Sequence, residues 1–242
     1  REAGIGRVVH VSSYVTLIAG GRDAPPVVAD ETRELLPGAM LGPYPRSKRL
    51  AELAALSADP PAVVVQPPAP VGPGDHRPTP PGAMLRDMAN GALPAMIRCR
   101  WNLLDVRALA EGVVAALDSG APGQRYLLAG EDMETDVLVA LFELVSGVRG
   151  PRTRVPYGVA LAAATLAERV AALTGRPPGA PLTGVRLAGP AVRFDASKAR
   201  EALGFRPPPV EGALRDALVW MREAGWIRRA LPGLPTAEGA AR

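Results

Sequence analysis

The sequence predicts an α/β fold built on a parallel sheet, and three observations carry that prediction. Two short β-branched runs, Arg7 to Ser13 (R-V-V-H-V-S-S) and Ala62 to Gln66 (A-V-V-V-Q), leave no room for a helix and read as buried strands. Between them, from Tyr44 to Ser57, alanine, leucine and charges recur at helical spacing until Pro60-Pro61 stops them. Strand, helix, strand within about sixty residues is the unit of a parallel sheet with crossover helices.

The remaining elements follow in order. Residues 14–43 are rich in Gly, Pro and Asp and read as one long functional loop. Residues 67–82 hold too many prolines and glycines for regular structure, so they should form a rigid loop at the second strand's carboxyl end, where open α/β sheets bind ligands. Further helices are expected at about Pro81 to Gly91, Val106 to Ser119, Thr135 to Ser146, Tyr157 to Leu173 and Glu211 to Ala224, with short strands near Leu93 to Ile97 and Gln124 to Ala129. Pro177 to Pro181 reads as a turn. Asp195 and Ser197 should cap a short helix closed by Gly204, and the tail after Trp226 should be loose.

Composition narrows the function classes. With 242 residues, 48% hydrophobic and 21% charged, the chain can bury a real core, which excludes disorder and collagen-like repetition. A net charge of +4, spread over 28 basic and 24 acidic residues, is too small and scattered for a nucleic-acid partner. The single cysteine, Cys99, excludes an internal disulfide and a cysteine-rich metal site and fits a reducing cytoplasm. His10 reads as a core or helix-facing strand residue and His76 sits in a proline-rich loop, so no metal site is expected. The longest apolar stretch, Val155 to Leu173, is broken by Glu168 and Arg169 and falls short of the roughly 20 strongly apolar residues of a membrane span. The opening residues lack a signal-peptide layout; E-A-G-I-G reads as the frayed end of a helix, so the chain is expected to begin in mid-structure.

Tyr44-Pro45-Arg46-Ser47-Lys48 is the most informative segment, because a tyrosine and a lysine four apart share one helix face. A phenol is a poor proton shuttle at neutral pH unless a cation stands beside it. With four tyrosines and two lysines, chance produces this spacing roughly 0.03 times per chain. Ser12 and Ser13, at the end of the preceding strand, could place a hydroxyl beside Tyr44.

Strand, Ser, loop, Tyr, Lys is an order that resembles the extended short-chain dehydrogenase/reductase family, the NAD-dependent epimerase/dehydratase group. V-V-H-V-S-S at 8–13, D-E-T at 30–32 and Y-P-R-S-K-R-L-A-E at 44–52 carry the resemblance, joined by Q-P-P-A-P-V-G-P-G-D at 66–75 and F-D-A-S-K-A-R-E-A-L-G-F-R-P at 194–207. The hopanoid-associated sugar epimerases and dihydroflavonol-reductase-like members look nearest. The resemblance implies the carboxyl-terminal part of a Rossmann-like doubly wound parallel sheet plus a smaller, mostly helical substrate lobe. It implies Tyr44 as general acid/base, Lys48 as the cation that activates it and holds the nicotinamide ribose, and Ser13, with Ser12 as the alternate, bonding the reacting oxygen. Pro67, Pro68 and Ala69 would lie near the nicotinamide of NAD or NADP.

The implied activity is NAD(P)-dependent oxidation, reduction or epimerisation of a secondary alcohol or ketone of sugar or nucleotide-sugar type. The expected partners are a small-molecule substrate and a possible second copy of the chain, with neither nucleic acid nor membrane. Residues 1–75 would be a remnant of the dinucleotide-binding domain, 76–226 a mixed substrate lobe with returning Rossmann elements, and 227–242 the tail. No glycine-rich turn follows a first strand, so the adenosine half of the cofactor has no seat in this sequence, the chain reads as amino-terminally truncated, and its first strand should expose an apolar edge. Pro45 disfavours helical geometry at Tyr44 unless the helix begins there. Asp105-Val106-Arg107-Ala108 also replaces the family's usual His-Val-Asp-Asp. The alternative reading is a non-catalytic remnant or interaction domain that binds no cofactor.

Overall fold

The computed structural model describes residue 4 and residues 6–20, 25–175 and 182–235. The E-A-G-I-G opening falls largely outside the described residues, and the Pro177 to Pro181 turn and the last seven residues fall outside them entirely.

The predicted strand–helix–strand unit is present. β1 (Val9–Val11) leads through two short 3-10 turns and α1 (Pro43–Leu56) to β3 (Val63–Gln66). β1 and β3 pair in parallel, Val9 opposite Val63, and β3 pairs in parallel with β7 (Arg125–Leu127). The sheet order is β1-β3-β7, so β1 is an edge among the described residues, with Val8 and Val11 about 40% exposed. Because strand side chains alternate between faces, each strand presents two chemistries. Val63, Val65, Tyr126 and Leu128 join Ala108 and Ala116 of α3 (Val106–Ser119) and Phe205 in an apolar cluster. The opposite parity carries Ser12, Gln66 and Arg125 toward α1.

The long stretch expected to be structureless, residues 14–43, contains β2 (Val27–Ala29), paired in parallel with β10 (Val192–Phe194). Likewise the 67–82 loop holds β4 (Ala69–Val71), paired with β6 (Arg100–Asp105), which pairs antiparallel with β8 (Glu131–Glu134). Three residues of strand between prolines and glycines give no readable alternation, yet their backbone groups still need partners and find them in a neighbouring strand. β5 (Ala95–Ile97) pairs in parallel with β9 (Thr153–Val155).

Helices match the sequence reading more closely. α3 and α4 (Thr135–Ser146) span the expected residues, and α2 (Pro80–Ala89), α5 (Tyr157–Thr174) and α8 (Val210–Glu223) start and stop within two. α6 (Leu182–Leu187) and α7 (Ser197–Leu203) complete the set; Asp195 accepts from the Ser197 amide at 2.9 Å and Gly204, at φ 64°, closes α7. The Asp105–Arg107 departure has a structural use. Asp105 caps α3 through the Arg107 amide at 2.8 Å, and the Arg107 guanidinium bridges Asp105 and Asp216 of α8, each at 2.7 Å.

Residues 227–235, the described part of the tail, correct the sequence reading. Ile227, Leu231 and Leu234 are buried with Phe142, Leu214 and Met221 in the largest apolar core, and the Gly233 amide donates to the Ser146 carbonyl at 3.0 Å. Three apolar residues spaced around a Pro-Gly turn gain more from burial than the chain loses in freedom. No helix among the described residues is long and apolar enough to cross a membrane.

Candidate functional site

The site is assembled where β1 and β3 end. Beyond Val11 the chain stays paired with β3: the Ser12 amide donates to the Val65 carbonyl at 2.8 Å and the Tyr14 amide to the Pro67 carbonyl at 2.9 Å. Ser13 therefore lies beside the Pro67-Pro68 link between β3 and β4. Its hydroxyl caps the first 3-10 turn (Tyr14–Leu17) through a long 3.5 Å contact from the Val15 amide. A hydroxyl held this loosely keeps its own proton available.

Ser12 is placed differently. Both serines are buried, at 3% and 7% exposed, but the Ser12 hydroxyl donates to Glu52 in the interior at 2.8 Å whereas the Ser13 hydroxyl makes no such bond. Adjacent strand residues face opposite ways, so only one of the two serines can look toward a ligand.

α1 brings in the tyrosine and lysine. Its first turn reads Pro43-Tyr44-Pro45, where the missing amide protons cost nothing because the first helical amides have no acceptor within the helix. The helix thus starts one residue ahead of Tyr44, which removes the objection raised by Pro45. Gly42 precedes it at φ 131°, and a side-chain carbon there would meet the Thr183 hydroxyl of α6 at 2.7 Å, so α6 abuts the start of α1. Tyr44 is 51% exposed. Lys48, one turn on, donates to the Val11 carbonyl at 3.3 Å and ties α1 to the end of β1. Among the described residues, Tyr44 makes no hydrogen bond to Ser13 or Lys48.

A second tyrosine sharpens the assignment. Tyr14 packs edge-on against Phe194 with ring centroids 5.2 Å apart, and burial pushes its phenol up to about 12. His10 faces α1, as its strand parity requires. Burial, then the charge of Lys48, lowers its pKa, so the imidazole is held neutral beside the ammonium. Pro67 and Pro68 are buried and offer no N–H, and Ala69 opens β4 opposite Leu103.

Beneath these residues lies a polar cluster that the sequence reading missed. Glu52, fully buried, takes Ser12, Thr16 and Gln66 on one carboxylate oxygen (2.8, 3.0 and 3.2 Å) and Arg49 and Arg125 on the other (2.7 and 3.3 Å). A signal was available: Ser12, Gln66 and Arg125 are polar residues of one parity on three strands, and Arg49 and Glu52 stand three apart on the helix that crosses between two of them.

Comparison with known proteins agrees with this architecture. Residues 1–129 match the model of the NAD dependent epimerase/dehydratase family. The chain is 32% identical to a putative dihydroflavonol 4-reductase of Synechocystis over 94% of its own length and 68% of that protein's. It is 30% identical to sterol demethylase protein B of Methylococcus capsulatus, covering 94% of this chain and 70% of that one. The crystal structure of a nucleoside-diphosphate-sugar epimerase from Pseudomonas aeruginosa superposes with a TM-score of 0.75 at 25% identity, over 94% of this chain and 70% of that chain. Taken with the parallel sheet and the strand-end geometry, these matches establish that the chain belongs to the NAD dependent epimerase/dehydratase family.

Proposed function

We propose that the chain carries the proton-transfer half of an NAD(P)-dependent oxidoreductase or epimerase site for a secondary alcohol or ketone of sugar or nucleotide-sugar type. Tyr44 gives or takes the hydroxyl proton, Ser13 hydrogen-bonds the same oxygen, and Lys48 stands beside them as the cation. The observation that carries this reading is the strand-end arrangement: Ser13 is paired backbone to backbone against Pro67, while Lys48 reaches the Val11 carbonyl two residues before Ser13. Serine, lysine and proline link thus share the carboxyl end of a parallel sheet, where such folds bind ligands. The sugar-type substrate is supported by the names of the related proteins.

The residues present fit the nicotinamide half of the cofactor. Pro67 and Pro68 form a buried wall without donors, and Lys48 offers an ammonium to a ribose hydroxyl. No G-x-G-x-x-G turn joins a strand to a helix anywhere in the 242 residues, so the fit is to that half. When bound, the cofactor supplies hydride acceptance or donation. What the chain itself does is orient the substrate oxygen and move its proton.

Replacing Tyr44 with Phe tests the reading. Turnover should fall by roughly 10² to 10⁴, the range of general acid–base contributions, with nicotinamide affinity by fluorescence titration unchanged. Undiminished turnover would refute the role of Tyr44, and failure of the native protein to bind NADH or NADPH would favour the non-catalytic alternative.

A further inference from the structure

We infer that Glu52 is the positioning residue of this site, a buried carboxylate that fixes the Ser13 strand end, the Tyr44–Lys48 helix and the Gln66–Pro67 link relative to one another; the inference rests on the proton-transfer reading above. All three segments bearing proposed site residues converge on this one side chain. Glu52 belongs to the helix of Tyr44 and Lys48, two turns beyond the tyrosine. Ser12 and Thr16 bracket Ser13, and both hydroxyls lie within 3.0 Å of the Glu52 carboxylate. Thr16 also grips Ser13 directly, its amide donating to the Ser13 carbonyl at 3.1 Å. Gln66 spends one amide proton on Thr16 at 2.9 Å and the other on Glu52 at 3.2 Å, immediately ahead of Pro67.

The charge arrangement favours direction over mere stability. A buried ion pair is seldom more stabilising than well-packed hydrocarbon of the same size. Yet α1 turns Arg49 and Glu52 inward and leaves Leu50 and Leu53 49% and 36% exposed, the reverse of an ordinary amphipathic helix. What five hydrogen bonds to one carboxylate provide, and hydrocarbon does not, is a fixed angle and distance for each segment they touch. Arg49 extends the clamp through its Nε to the Leu35 carbonyl at 2.9 Å, and Arg125 through a 3.5 Å contact to Glu34, so the chain leading into α1 is held as well.

Glu52→Gln keeps the size and one acceptor oxygen but removes the charge. In the full chain that folds with native circular dichroism, we expect turnover to fall roughly 10-fold to 100-fold, the scale of a misplaced catalytic group. The Ser13 amide and Tyr44 ring resonances should move in NMR spectra recorded without cofactor. Native turnover in the folded variant, or Ser13 and Tyr44 resonances that coincide with the parent's, would overturn the inference; the resonances decide it even where no turnover is measurable. Should Glu52→Gln fail to fold, the Ser12→Ala/Thr16→Val pair removes only the hydroxyl contacts to the strand end, and the same resonance shifts are expected, their absence counting against the inference. An inactive Tyr44→Phe beside a fully active Glu52→Gln sinks this inference alone, whereas an active Tyr44→Phe sinks the proton-transfer reading.

Discussion

Under β4, β6 and β8 the interior is hydrocarbon: Phe142, Leu138, Leu85, Leu214, Leu218 and Met221 are all buried there, closed by Leu231 and Leu234 of the tail. Under the α1 face of β1, β3 and β7 it is a carboxylate, two guanidiniums, a carboxamide and two hydroxyls. Apolar burial is non-directional and scales with area, so it stabilises whatever arrangement excludes water. Hydrogen bonds to a buried charge specify an arrangement and are costly to break singly. The molecule keeps its anchor and its alignment device in different places, and the alignment device lies under the proposed chemistry.

The largest expected effect tests the anchor. Phe142→Ala empties a fully buried position in the apolar core and should cost about 3 to 5 kcal/mol in urea unfolding. Nicotinamide affinity at the remote strand ends should not change. A cost below about 1 kcal/mol would show that the core is not where stability resides.

A second experiment separates stability from alignment. Glu52→Met removes the buried carboxylate shared by the Arg49 and Arg125 guanidiniums, residues 4% and 8% exposed, and should cost about 3 kcal/mol. Arg49→Met/Glu52→Met/Arg125→Met together should recover most of that loss, because hydrocarbon replaces all three charged members. Turnover should not recover with it. If it did, the cluster would be packing that happens to be charged, and the contrast between the two regions would vanish.

The same contrast explains what could be read in the sequence. α3 and α4 have strong helical periodicity and faced no competing signal, so their ends were legible. β1 and β3 were legible because valine runs between turn residues have few other uses. β6 was not, since R-W-N-L-L-D neither alternates nor runs apolar, and β8, E-D-M-E, has a single apolar residue. Tyr44, Lys48 and Ser13 could be singled out because the chemistry proposed for them depends on local spacing and order. The Glu52 cluster depends on strand parity across three non-adjacent segments, and a charged pair on a helix is ordinarily solvated, so its burial became visible only with the sheet in place.

The smallest effect concerns a carboxylate that sits between the two extremes. Glu31 is 5% exposed, and it accepts from the Leu127 amide at 2.7 Å, with no arginine against it among the described residues. Burial, the largest influence, raises its pKa above the ordinary carboxylate value. Between that ordinary value and the raised one, the folded chain binds more protons than the unfolded chain, so this group's contribution to stability falls as pH rises through the window and is constant above it. Asp105 and Asp195 act in the opposite direction and in a lower window. Hydrogen bonds from Arg107 and Ser197 respectively depress their pKa values, and their contribution is lost as pH falls below the ordinary range. Glu31→Gln retains an acceptor for the Leu127 amide and cannot ionise, so urea midpoints of parent minus variant, followed upward from the ordinary carboxylate pKa, should decline and then level. A difference that rises with pH would mean that Glu31 is held as a stabilised anion rather than a destabilised one.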